Sequence, residues 1–126
     1  MNEIFNKHFK EIPYNEEYYI NKHGDIWKVT EEGELKKITT FASGGTVMCK
    51  FHGRPMSVSR LVAELFLPND HKERTRVYHI DGDMWNNDIS NLVWCTPSEV
   101  MKLRFVEPED VLNELRGIRL EEEEGK

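Results

Sequence analysis

The chain lacks any long apolar run. Stretches such as Leu65-Phe66-Leu67 are as far as it goes, which excludes a membrane-spanning helix. The opening Met1-Asn2-Glu3-Ile4-Phe5-Asn6-Lys7 lacks the basic-then-apolar order of a secretory signal, so a protein that stays in the cytoplasm is expected. Cysteine is scarce: Cys49 and Cys95 stand far apart with no Cys-x-x-Cys, which excludes both a disulfide framework and a cysteine-held zinc site. Each is expected to be a small buried filler. There are no repeats and no low-complexity linker.

Positive charge is also short. The chain carries 17 Lys and Arg against 23 Asp and Glu, a net −6. The deficit is uneven. Residues 107–126 hold eight acids and three bases, leaving −5, whereas residues 1–106 hold fifteen acids and fourteen bases, leaving −1. Phosphate binding draws on clustered Lys and Arg, so a near-neutral body with an acidic end is expected to be a poor non-specific DNA binder. The run Glu121, Glu122, Glu123 and Glu124 is the natural candidate for contact with a basic protein partner, with a solubilising end as the plain alternative.

What is present fits one soluble domain. At 126 residues, 38% hydrophobic and 32% charged, the chain can bury a single modest core. Tyr18 to Ile20 and Ile26 to Val29 are β-prone runs around Asn21-Lys22-His23-Gly24-Asp25, where Gly24 is free to take a positive φ, so a hairpin is predicted. A second hairpin is predicted from Leu35–Phe41 and Thr46–Phe51 around Gly44-Gly45, with a turn at His52-Gly53-Arg54-Pro55. Val58, Leu61, Val62, Leu65 and Phe66 fall at helical spacing behind Ser57 and Ser59 as candidate caps, and Pro68-Asn69-Asp70 ends that helix. Val77–Ile80 reads as a strand, 81–91 as a polar loop and Leu92–Trp94 as a second strand. Thr96-Pro97-Ser98-Glu99 then combines a Thr cap, Pro at the first helical position and Glu at the third, starting a helix that runs to about Phe105. Pro108 opens a further helix with Val111, Leu112, Leu115 and Ile118 as its apolar stripe.

The stretch Val77-Tyr-His-Ile-Asp-Gly-Asp-Met-Trp-Asn-Asn-Asp-Ile-Ser-Asn-Leu-Val-Trp-Cys-Thr96 resembles the core of the HNH homing endonucleases, most closely the phage-type branch. Val58-Ser-Arg-Leu-Val-Ala-Glu-Leu-Phe-Leu-Pro-Asn69 is similar to that family's helix before the active strand, and residues 9–29 resemble the short DNA-binding module at the front of many members. The resemblance covers roughly residues 9–102. It implies an α+β fold: N-terminal β-hairpins over residues 9–55, then a helix and a ββα-metal hairpin-helix unit over 56–106; the acidic C-terminal helix and tail over 107–126, read from the residues alone, follow that domain of 1–106. It also implies a bacterial host cytoplasm.

In that family the histidine takes a proton from the attacking water and one divalent metal such as Mg²⁺ neutralises the leaving oxygen. By position the resemblance makes His79 the base and Asn91 the residue that fixes the loop, both vestigial if the metal site is lost. The ligand positions, immediately before the base and on the helix nine residues after the central asparagine, hold Tyr78 and Val100. Valine has no donor atom, and a neutral phenol is a poor ligand for a hard cation. Asp81 is the weak substitute, with Asp83 and Glu99 nearby; the position before Arg60, often His in the family, is Ser59.

Three readings stay open at this point. A pseudo-nuclease that binds a host nucleic-acid-handling protein, as an inhibitor would, uses the scaffold and the acidic end and needs no cofactor. An active HNH nicking endonuclease would recruit substitute metal ligands. A DNA-binding regulator would use Lys50, Arg54, Arg60, Arg74, Arg76, Trp85, Asn86 and Asn87.

Overall fold

The computed structural model describes residues 8–105 and Asn113. The helix expected after Pro108 and the run Glu121–Glu124 otherwise lie outside the described residues.

Among the described residues, nine strands form three antiparallel sheets. In the first, β1 (Phe9–Glu11), β2 (Tyr18–Asn21), β3 (Ile26–Val29) and β4 (Leu35–Lys37) lie in sequence order. The expected first hairpin is present, pairing Tyr18 with Lys28 and Ile20 with Ile26. Gly24 turns it with φ +85. Period-two alternation buries Tyr18 and Ile20 on one face.

The second sheet corrects the sequence reading in one respect. Leu35–Phe41 is not one strand. Its first part, β4, pairs back on β3 through the Thr30–Gly33 turn, where the Gly33 amide donates to the Thr30 carbonyl. Its end, β5 (Phe41–Ser43), belongs to the next hairpin and pairs with β6 (Thr46–Phe51) through Gly44-Gly45. Two turns each claim one end of the run, and the chain changes sheets between Ile38 and Thr40. The turn after β6 is also shorter than expected. His52 and Gly53 alone make it, with φ of 54 and 81, the paired positive values that a tight hairpin requires. Arg54–Ser57 is then β7, and Pro55 is tolerated because β7 is an edge strand.

Helix α1 (Val58–Phe66) starts where expected. The Ser57 hydroxyl accepts from the Arg60 amide as N-cap. Its buried face of Val58, Leu61, Val62 and Ala63 joins Ile20 and Ile26 of the first sheet, Val47, Cys49 and Phe51 of the second, and Leu92 and Trp94 beyond it in one core. Tyr18 packs edge-to-face on Phe51, ring centres 4.9 Å apart, joining the two larger sheets.

The chain ends its described part in a hairpin and a helix: β8 (Arg76–His79), β9 (Leu92–Cys95) and α2 (Pro97–Phe105). The register sets Tyr78 opposite Val93 and His79 opposite Leu92. A capping box starts α2. Glu99 N–H donates to Thr96 Oγ1 at 3.0 Å, and Thr96 N–H donates back to Glu99 Oε1 at 2.8 Å. Trp94 locks this unit to the core by donating its indole N–H to the Leu67 carbonyl at 3.1 Å.

Candidate functional site

His79 ends β8 at the mouth of the loop 80–91, and that loop is a lattice of short polar side chains. Asn91, buried where the loop re-enters the hairpin, accepts from the Asp81 amide at 3.0 Å. It also donates to Asp81 Oδ1 and to the Asn86 carbonyl, both at 2.9 Å. Asn86 donates to the other Asp81 oxygen at 2.9 Å, and the Asp83 amide donates to Asp81 Oδ1 at 2.8 Å. Hydrogen bonds from Asn86, Asp83 and Asn91 therefore hold the Asp81 carboxyl below its ordinary range. Amide and carboxylate side chains that favour turns here close one on another, which ties the two ends of the loop together.

Asn87 is buried, and its amide oxygen lies 2.7 Å from His79 Nε2. An amide oxygen only accepts, so this bond places the proton of a neutral ring on Nε2 and leaves the lone pair on Nδ1.

The front hairpin supports the same loop from outside. His23 Nδ1 pairs with Asp88. The Ile89 amide donates to the Lys22 carbonyl at 2.9 Å. Gly24 lies so close that a Cβ there would stand 3.2 Å from the Asn87 Cβ and 3.3 Å from Val58 Cγ1. Asp88 also accepts from the Ser90 amide and hydroxyl, capping the short 3-10 turn Ile89–Asn91. Burial opposes its ionisation, but the bonds from Ser90 and His23 outweigh that and hold its carboxyl near 2. This docking is invisible in the sequence. The 21–25 turn is legible as a turn, yet no local spacing says that it meets residues 87–89.

Next to His79 lies a cleft of about 660 Å³ between the β5–β6 turn, the start of α1 and the ββα unit. Gly45, Thr46, Ser57 and Ser59 line one side; Tyr78, Met84, Pro97, Val100 and Met101 line the other. Arg60 and Arg76 line it with His79, and no Asp or Glu is among the described lining residues. The remaining candidates fall elsewhere. Lys50 and Arg54 are exposed on the β6–β7 hairpin, Lys50 over the Phe41 ring. Arg74 is largely withdrawn into a two-point contact with Glu99 at 3.3 and 3.5 Å. Trp85 is 54% exposed at the tip of the loop. Asn86 and Asn87 are turned into the loop's own bonds.

Tyr78 and Val100 stand where the resemblance places metal ligands. Tyr78 and Val100 pack together against Val93, Cys95 and Leu103, in an apolar cluster that also borders the cleft. Val100 thus faces into the unit. Asp81 has both oxygens engaged by the loop, and Glu99 is engaged by Thr96 and Arg74. Among the described residues no three His, Cys, Asp or Glu side chains converge. This donor set does not fit a hard divalent cation, which takes several oxygen ligands.

Comparison with known proteins agrees with this frame. The family model described as HNH endonuclease matches residues 57–102, from the N-cap of α1 into α2. An uncharacterized HNH endonuclease of Acanthamoeba polyphaga mimivirus is 32% identical over 89 residues, which are 69% of this chain and 22% of that protein. A second uncharacterized HNH endonuclease of that virus is 42% identical over 48 residues, 38% of this chain and 14% of that one. The chain therefore spans less than a quarter of the length of either relative. The fold is similar to that of a solved structure titled DNA binding and cleavage by the HNH homing endonuclease I-HmuI, with TM-score 0.54 and 24% identity, covering 76% of this chain and 57% of that one. The loop lattice, the position of His79 and the matched segment agree: residues 57–102 match the HNH endonuclease family, and the chain is similar to HNH endonucleases beyond that segment.

Proposed function

We propose that this chain binds DNA in the His79 cleft and does not cleave it by the family's metal-dependent route. The observation that carries the reading is the composition of the cleft wall. Arg60, Arg76 and His79 face it with no carboxylate among its described lining residues, in a chain whose net charge is −6. Charge that is unfavourable in sum is favourable where a phosphate would sit, and local field rather than net charge governs such binding. The loss of cutting rests on Tyr78 and Val100, whose phenol and isopropyl group occupy the ligand positions as part of an apolar cluster. Binding by a scaffold that has lost its reactive centre needs only the frame, and the frame here is intact.

The protein contact expected of Glu121–Glu124 falls outside the described residues, whereas the cleft lined by Arg60, Arg76 and His79 favours an anion. The test is paired. Purified protein incubated with plasmid in Mg²⁺ or Mn²⁺ is expected to leave it un-nicked, while a labelled DNA fragment binds in chelator. Nicking that disappears in His79→Ala overturns the cleavage half; absence of DNA binding at low salt overturns the binding half.

A further inference from the structure

Resting on the reading of the cleft as a DNA site, we propose that its preferred ligand is an unstacked nucleotide of single-stranded DNA, with the base against Tyr78 and its phosphate toward Arg76. A duplex lying across the cleft presents phosphates at the rim. Arg76 in the lining can meet those, and the apolar wall of Tyr78, Met84, Val100 and Met101 then has nothing to cover it. That wall is substantial. Met101 is 56% exposed, and Tyr78 is only half-buried despite packing on Val93 and Leu103. Single-strand sites combine these same elements, an aromatic or apolar face for a base and cations tracking the backbone.

The volume agrees. About 660 Å³ lies within the usual range of small-ligand sites, roughly 300–1,000 Å³. The two arginines are unequal. Arg60 is committed, donating to Glu64 and to the Thr75 carbonyl and lying over the Trp94 ring. Arg76 is exposed at the entrance of β8 and is the cation left to meet a phosphate. The substitution that removes the metal ligand thus also supplies the stacking surface. Tyrosine at 78 places a phenol ring where the family pattern has Asp, Asn or His.

The experiment measures fluorescence anisotropy of a labelled single strand of about ten nucleotides and of the same sequence as a duplex, both in chelator. The expected result is tighter binding of the single strand. Tyr78→Leu, which keeps bulk against Val93 and Leu103, should weaken single-strand binding about tenfold and collapse the preference, and Tyr78→Phe should restore it. Arg76→Gln should weaken both ligands. Equal affinity for strand and duplex, or a preference that survives Tyr78→Leu, overturns this inference and leaves the DNA-binding reading standing. Failure of both DNAs to bind overturns that reading as well.

Discussion

Replacing Gly24 by alanine should show whether the front hairpin really braces the histidine loop. Gly24 has φ +85, a region costing a residue with a Cβ roughly 1–2 kcal/mol. The new methyl would also stand 3.2 Å from the Asn87 Cβ and 3.3 Å from Val58 Cγ1. Val58 is buried in the core and Asn87 is held by His79, so neither moves aside without disturbing packing or the histidine. Overpacking of this kind typically costs about 1–3 kcal/mol. The two costs for Gly24→Ala then sum to about 2–5 kcal/mol. Gly33→Ala isolates the backbone part, because Gly33 has φ +81 and nothing within 4 Å of an added Cβ. The unfolded-state entropy gain of Gly→Ala is common to both variants and cancels. Urea unfolding followed by tryptophan fluorescence should place Gly24→Ala about 1–3 kcal/mol below Gly33→Ala, with similar slopes. Equal destabilisation of the two would refute the packing of the 21–25 turn against the loop.

Other expectations follow from the same geometry. Asp88, held near 2 by Ser90 and His23, contributes stability that is present above about pH 4 and lost as pH falls towards 2. With 30% of its side chain exposed, screening reduces that contribution to about 1 kcal/mol, and acid titration of unfolding in Asp88→Asn should lack it. Thr96→Ala removes one half of the capping box and should destabilise by about 1 kcal/mol in the same urea assay, against little change for exposed Ser98→Ala. Burial pushes the Cys49 and Cys95 thiols up to about 11, so both should resist alkylation at pH 8 until the protein unfolds. Tyr78→Asp combined with Val100→Asn should confer some Mg²⁺-dependent nicking, read on supercoiled plasmid, and no gain would show that more than the ligands has been lost.

Legibility in the sequence followed the range of the interaction. The Ser57 cap, the Thr96–Glu99 box and the Gly24 turn are encoded within a few residues, and each is present. The order of the ββα unit was also readable from turn and capping chemistry, which are local signals, whereas the part of Asn91 in closing the loop came from the family resemblance. The division of Leu35–Phe41 between two sheets was not. Both halves are β-prone, and only the competing turns at 30–33 and 44–45 decide where each pairs. The docking of His23 on Asp88 and of Gly24 on Asn87 depends on how two sheets pack, which no spacing encodes. Net charge, summed along the chain, does not encode where folding places each charge: Arg60 of α1 and Arg76 of β8 line one cleft with no carboxylate among its described lining residues, while Glu99 engages Arg74 outside it.

The most direct test is the salt dependence of DNA binding in chelator, measured for the wild-type chain and for Arg76→Gln. The slope of log affinity against log salt counts the phosphates that the protein neutralises, and loss of one such contact lowers it by about 1. The account expects binding without any divalent metal, weakening as salt rises, with a slope shallower by about 1 in Arg76→Gln. Binding that requires Mg²⁺, or affinity and slope untouched by the loss of Arg76, would contradict it.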